Sequence, residues 1–182
     1  MNNCFPQYTT DYISGVMSLR KPQKKSLKIL DEIVNSVNLK KGMNLQAALG
    51  AVNALCPTCT DFERDFMSLT FALATGVGKT RLMGAFIAYL YTQHNIKNFF
   101  VVAPNTTIYN KLCRDLNDNN SPKYVFRGLS CFVNAPQVIT GEDYRSKPLS
   151  LFQSEVRIFV FNISKFDKEN ANMKKVNEYY GD

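Results

Sequence analysis

The chain holds one histidine, no tryptophan and five cysteines among 182 residues. With a single imidazole, His94, a zinc site would need thiolates, and the only closely spaced pair is Cys56-Pro57-Thr58-Cys59. That pair has metal-ligand or redox spacing. It lacks the two further ligands a zinc site requires, and it does not follow the first strand of a βαβ unit as a thioredoxin-like pair does. Cys4, Cys113 and Cys131 are scattered, and an odd total fits reduced thiols better than a disulfide framework. No apolar run is long enough to cross a bilayer, and the start, MNNCFPQYTTDY, lacks the basic-then-apolar order of a signal peptide. These absences imply a cytoplasmic protein with no membrane association. No internal repeat or low-complexity tract is present.

What is present is an ordinary core-forming composition, 45% hydrophobic, enough for one core and too short for two comfortable domains. The formal charge of +7 is unevenly spread, with seven basic and two acidic residues between Arg20 and Lys41. Such a stretch fits a nucleic-acid backbone, and equally the solvated side of a helix.

The most informative stretch is Leu69 to Tyr91, LTFALATGVGKTRLMGAFIAYLY. An apolar run, Leu69-Thr70-Phe71-Ala72-Leu73, reads as a buried strand of a parallel sheet. It feeds a glycine-punctuated turn, Thr75-Gly76-Val77-Gly78-Lys79-Thr80, and then a second apolar run of helical length. Glycines in such a turn let backbone N–H groups converge on an anion, and the N-terminus of the following helix adds its partial positive charge. Lys79 then reaches the terminal phosphates and the Thr80 hydroxyl holds Mg²⁺. The strict phosphate-loop pattern asks for glycine where Leu73 stands, so only the second half of the motif is matched.

The rest of the chain supplies a frame for that loop. The first dozen residues show no period and read as a loosely packed or partly disordered arm. Leu27, Leu30, Ile33, Val34 and Val37 follow helical spacing, with Pro22 near the helix start where its missing N–H costs least. Leu45, Ala48, Leu49, Val52 and Leu55 mark a second helix ending before Pro57. The helix after the loop is apolar nearly all round, which predicts burial on more than one side. Asn98–Ala103, NFFVVA, reads as a central parallel strand, and Asn105-Thr106-Thr107 can cap a helix carrying Ile108, Leu112 and Leu116. Further strand candidates are Lys123–Phe126, Gln137–Thr140 and Val156–Phe161, followed by a charged helix from about Lys168 to Tyr180. Alternating strands and helices predict an α/β fold with a doubly wound parallel sheet. Its ligands would gather at the strand carboxyl ends, where the phosphate loop, Pro104-Asn105-Thr106 and Asn162-Ile163-Ser164 would meet.

The form Ala74-Thr75-Gly76-Val77-Gly78-Lys79-Thr80 resembles motif I of superfamily-2 helicases, and from Leu19 onward the chain is similar to the first RecA-like motor domain of these proteins. Within them it resembles the restriction subunit of type III restriction enzymes. The resemblance implies a helical N-terminal segment over residues 1–60 and an incomplete RecA-like P-loop domain over 61–182. It implies ATP and Mg²⁺ at Thr75, Gly76, Val77, Gly78, Lys79 and Thr80. It implies that Gln23, in a segment like the adenine-reading glutamine motif, makes a two-point hydrogen bond to the base. Val101-Val102-Ala103-Pro104-Asn105 looks like motif Ia, and Phe161-Asn162-Ile163-Ser164-Lys165-Phe166 like the later DNA-contacting motif, placing Asn105, Thr106 and Asn162 along DNA. The implied partners are DNA and a modification (methyltransferase) subunit.

The chain departs from the family in one respect that bears on activity. No Asp-Glu-x-His or Asp-Glu-x-Asp run occurs in it, and neither the second motor domain nor the nuclease domain is represented. The expectation is therefore an N-terminal fragment of an ATP-dependent DNA translocase and endonuclease, with no catalytic residue of its own, that binds nucleotide weakly and hydrolyses it negligibly. A superfamily-2 helicase without a nuclease, and a non-catalytic nucleotide-binding or interaction module, stand as alternatives.

Overall fold

From Tyr8 onward the N-terminal stretch is folded rather than a loose arm, and the expectation for residues 1–6 lies outside the described residues. In the computed structural model, which describes residues 7–37, 39–40, 42–141 and 155–163, Thr10–Val16 forms helix α1. Ile13 and Met17, one turn apart, are buried, and α1 lies against helix α2. Two apolar points four residues apart suffice to seat a single turn on a neighbour, a signal too sparse to show as a period.

Helix α2 spans Lys21–Ser36 with Pro22 in its first turn, and buries Leu27, Leu30, Ile33 and Val34. Helix α3, Leu45–Leu55, starts where the Asn44 side chain accepts the Ala47 N–H at 3.1 Å. The two helices meet around Ile33, Ala48, Val52 and Phe62, and Met67 and Leu69 pack against that cluster. Much of the basic stretch is exposed, and Lys28 forms a 3.0 Å surface ion pair with Asp11. Exposed pairs of this kind contribute little to stability.

Leu69–Leu73 is not a strand. Its side chains are alternately half-buried and exposed, and it belongs to no sheet among the described residues. Apolar composition supplies burial but not backbone partners, and a strand requires both. Here the segment is held by its side chains, Leu69 on the α2–α3 cluster and Phe71 against Phe86, with ring centroids 4.9 Å apart.

Helix α4, Lys79–His94, buries Leu82, Ala85, Ile87, Ala88, Tyr89, Tyr91 and Thr92, as its lack of a polar face predicts. The chain divides within this helix into two compact units. One is Thr10–Phe86, and the other is made of the described parts of Met1–Thr9 and Ile87–Asp182.

The second unit holds a parallel sheet of three strands among the described residues, β1 Asn98–Ala103, β2 Gln137–Thr140 and β3 Arg157–Asn162, in the order β1-β3-β2. The register pairs Ala103 with Asn162 and Thr140 with Val160. β3 is the central strand, with Ile158, Phe159, Val160 and Phe161 buried. β1 lies at an edge instead of the centre, and Phe100 and Val102 on one of its faces are 45% and 49% exposed. A strand's own composition does not report how many neighbours it has, so NFFVVA and RIFVFN read alike while occupying different places.

Helix α5, Thr106–Asn117, covers the sheet through Leu112 and Leu116. Residues 123–126 form turns rather than a strand, and Tyr124, Val125 and Phe126 are nonetheless buried, with Phe126 stacked on Phe132 at 4.1 Å. The expected helix from Lys168 to Tyr180, and Ser164 to Phe166, lie outside the described residues.

Candidate nucleotide-binding site

The phosphate loop takes the backbone form that its glycines permit. Thr75 and Gly76 make a turn, and Gly76 and Gly78 adopt φ values of +79° and +93°, in the left-handed region that side chains disfavour. Gly78 caps α4, its carbonyl accepting the Leu82 N–H at 3.1 Å. Lys79 and Thr80 are thus the first two residues of a sixteen-residue helix. The N–H groups of that first turn have no carbonyl available one turn earlier, and the helix dipole favours negative charge there. Lys79 is exposed, and its ammonium donates to the Ala74 carbonyl across the loop at 3.2 Å. The loop therefore has the left-handed glycines, the helix start and the mobile cation that a phosphate cradle needs. The loop's backbone and Lys79 fit a nucleotide's phosphates, and Thr80 follows as the second residue of α4.

Gln23 stands directly beside this loop and is held there by two hydrogen bonds within the fold. It is 1% exposed. As the third residue of α2 it reaches back so that its Oε1 accepts the Arg20 N–H at 2.7 Å, one half of a capping box. Its Nε2 donates to the Gly78 carbonyl at 2.9 Å, so that carbonyl accepts from two donors. A Cβ built on Gly78 would lie only 2.9 Å from Gln23 Nε2. A second link joins the same two segments, Arg20 Nη1 donating to the Gly76 carbonyl at 3.2 Å. Arg20 is the loop contact that sequence reasoning did not single out. Its signal was its place three residues before Gln23, at the cap of α2. Arg81, one residue past Thr80, is turned away from the loop, its Nη1 donating to the Met17 carbonyl at 3.1 Å.

The expected DNA-facing residues lie in the other unit, at the carboxyl ends of β1 and β3. Asn105 caps α5, its Oδ1 accepting the Ile108 N–H at 2.9 Å. Asn162 closes β3 at 8% exposure, and its Nδ2 donates to Thr106 Oγ1 at 3.1 Å. The parallel register sets Asn162 beside Ala103, three residues before Thr106, and so brings Thr106 and Asn162 together as the strand order implies. Asn105 and Thr106 are exposed.

Cys56 and Cys59 flank the turn after α3, the Cys59 N–H bonding to the Cys56 carbonyl at 2.9 Å. They line a cavity of about 610 Å³ together with Ile29, Val52, Phe62 and Phe71. Among the described residues no group of three or more His, Cys, Asp or Glu side chains is placed to hold a metal ion. Nor, among them, is any helix long and apolar enough to cross a membrane.

The family model described as type III restriction enzyme, res subunit, matches residues 16–181. No curated protein and no solved structure matches the chain. The match takes in α2, the phosphate loop and all three strands, and on that breadth the chain belongs to the family of type III restriction enzyme res subunits, with a helicase-type domain.

Proposed function

We propose that this chain carries the nucleotide-binding part of an ATP-dependent DNA translocase within a type III restriction system. The parent protein is proposed to be a site-specific endonuclease that works with DNA and a modification (methyltransferase) subunit. The observation that carries the nucleotide reading is the loop itself, with Gly76 and Gly78 at positive φ and Lys79 opening α4. In this reading the backbone around Gly76, Val77 and Gly78 embraces the phosphates, and Lys79 exchanges the Ala74 carbonyl for a phosphate oxygen. Thr75 closes the turn, and the Thr80 hydroxyl holds Mg²⁺. The bound ion and nucleotide would supply charge neutralisation on the phosphates and the bond to be broken. The residues of this chain bind and orient, and the water-positioning carboxylate of an Asp-Glu-x-His box is not among them.

DNA contact is proposed at the strand ends. Thr106 and Asn105 are exposed at the start of α5, which Asn105 caps, and Asn162 joins them through its bond to the Thr106 hydroxyl, so that Asn105, Thr106 and Asn162 together would line the DNA path. Contacts of this kind to phosphates position a protein without reading sequence.

Calorimetric titration of the chain with Mg-ATP tests the nucleotide reading. Lys79→Ala is expected to weaken binding by about 100-fold, the loss of a charge-assisted bond to phosphate. Unchanged affinity would overturn the assignment. In the same preparation, duplex DNA binding is expected to fall steeply between low and moderate salt and to survive Lys79→Ala. A flat salt response would remove DNA from the reading.

A further inference from the structure

One pair of side chains marked by its spacing is left unused by the nucleotide and DNA readings, Cys56 and Cys59. Both are free thiols and half-buried. Pro57 and Thr58 form the turn between them, and the Cys59 N–H donates to the Cys56 carbonyl at 2.9 Å to close it. A four-residue turn of this kind brings its first and last Cα atoms within about 7 Å, and a disulfide needs them roughly 4.4–6.8 Å apart. Pro57 stands second in the turn, where its fixed φ favours the common turn types.

The turn is also held from α3. Asn53, in the last turn of that helix, donates through Nδ2 to the Pro57 carbonyl at 3.2 Å and to the Cys59 carbonyl at 3.1 Å. The Cys56 N–H returns to the Val52 carbonyl at 2.7 Å. Both cysteines pack against the cluster of Ile33, Ala48, Val52 and Phe62, and both line the same cavity of about 610 Å³. Two thiols in one pinned turn therefore border a common space that a small reagent can enter. Oxidation gives up little, since the Cys59 thiol makes only a weak 3.8 Å bond to the Asp61 carbonyl. Among the described residues no third His, Cys, Asp or Glu joins them as a metal-binding group, and a disulfide needs only two sulfurs.

We propose that Cys56 and Cys59 are a reversible dithiol–disulfide site, closed by exchange with a small-molecule disulfide such as glutathione disulfide, and that Asn53 is its positioning residue. One cysteine, as thiolate, attacks a sulfur of glutathione disulfide, whose S–S bond breaks and releases one glutathione, which takes up the proton. The second cysteine gives up its proton and attacks the protein-bound sulfur, and the second glutathione leaves with that proton. The protein loses two electrons and two hydrogens, and one glutathione disulfide becomes two glutathione thiols. A turn that already holds the thiols together raises their effective concentration over that in the unfolded chain, so the folded protein closes the bond more readily. This chemistry stands whether or not the phosphate loop binds a nucleotide.

The test equilibrates the whole chain in buffers of graded glutathione and glutathione disulfide, both folded and unfolded in urea, traps the remaining thiols by alkylation, and locates the bond by peptide mass mapping. The expected result is a bond between Cys56 and Cys59 whose equilibrium constant is about tenfold higher in the folded protein. Asn53→Ala, shown to fold by its melting transition, is expected to lose most of that tenfold. Cys56→Ser is expected to stop at a mixed disulfide between Cys59 and glutathione, and Cys113→Ser to leave the bond in place. No bond in any buffer, or a bond from either cysteine to a different partner, would overturn the site. Equal constants in the folded and unfolded chain would overturn the role of the turn, and an unchanged constant in Asn53→Ala would overturn the role of Asn53. The folded-against-unfolded comparison needs no substitution, so it decides the matter even if Asn53→Ala does not fold.

Discussion

Leu69–Leu73 and Asn98–Ala103 are both short apolar runs that lead into a functional turn, and they are secured in different ways. Asn98–Ala103 lies in a parallel ladder with β3, and its exit delivers Asn105 and Thr106 to a place set by backbone register. Leu69–Leu73 has no ladder among the described residues, and its exit, the phosphate loop, is held by side chains: Phe71 on Phe86, Gln23 on Gly78, Arg20 on Gly76. A ladder fixes many atoms at once and tolerates the loss of one. A few side-chain bonds fix the loop only as long as each is made. The contrast explains why the two expected sites differ in what guards them, and it can be broken by experiment.

The largest effect is expected where the ladder's core is removed. Phe161→Ala, in the centre of the cluster with Ile139 and Phe159, is expected to cost about 3–5 kcal/mol in denaturant unfolding. Phe71→Ala, at a half-buried ring outside the sheet, is expected to cost only about 1–2 kcal/mol. Equal losses would mean that the loop-bearing segment is as firmly built as the strands.

A smaller effect separates the two glycines of the loop. Gly76→Ala places a Cβ in open space and meets only the strain of φ +79°, an expected loss of about 1 kcal/mol in thermal unfolding. Gly78→Ala adds crowding, its Cβ 2.9 Å from Gln23 Nε2, and is expected to lose about 2–3 kcal/mol. If both substitutions cost the same, Gln23 does not press on the loop as described.

An effect seen only at alkaline pH lies in the sheet unit, where burial raises the Cys131 thiol from 9.0 to about 11, only partly offset by its hydrogen bond with Tyr8. Burial raises the Tyr8 and Tyr124 hydroxyls as well. Because the folded state holds these protons more tightly than the unfolded chain, their contribution is fully present below about pH 9. For Cys131 it is lost as pH rises through about 11. Unfolding midpoints measured from pH 7 to 11 should fall across that window and fall less in Cys131→Ala. A Cys131→Ala variant with the full alkaline loss would assign it to the tyrosines alone.

Much of this was legible in the residues themselves. The periodicity of Leu27, Leu30, Ile33 and Val34, the cap at Asn105 and the limits of α3 and β1 are local matters, settled by side-chain spacing and turn chemistry within one or two turns of chain. Gly76 and Gly78 announced a left-handed loop, and Lys79 and Thr80 the start of a helix, for the same reason. Gln23 was marked by its motif, but its partner, the Gly78 carbonyl, lies 55 residues away and leaves no trace in the spacing. The burial of Tyr124, Val125 and Phe126 in turns, and of Ile13 in a helix too short to show a period, likewise came from neighbours distant in the chain.

The sequence by itself determined helices α2 to α5, the loop's handedness and the candidate phosphate ligands, because backbone preference and side-chain period act over a few residues. Only the tertiary structure decided that Leu69–Leu73 joins no sheet among the described residues, that among them β1 is an edge and β3 the centre, and that Gln23 bonds to the Gly78 carbonyl. Hydrogen bonds between segments depend on which strand or carbonyl arrives alongside, and arrival is a property of the folded chain.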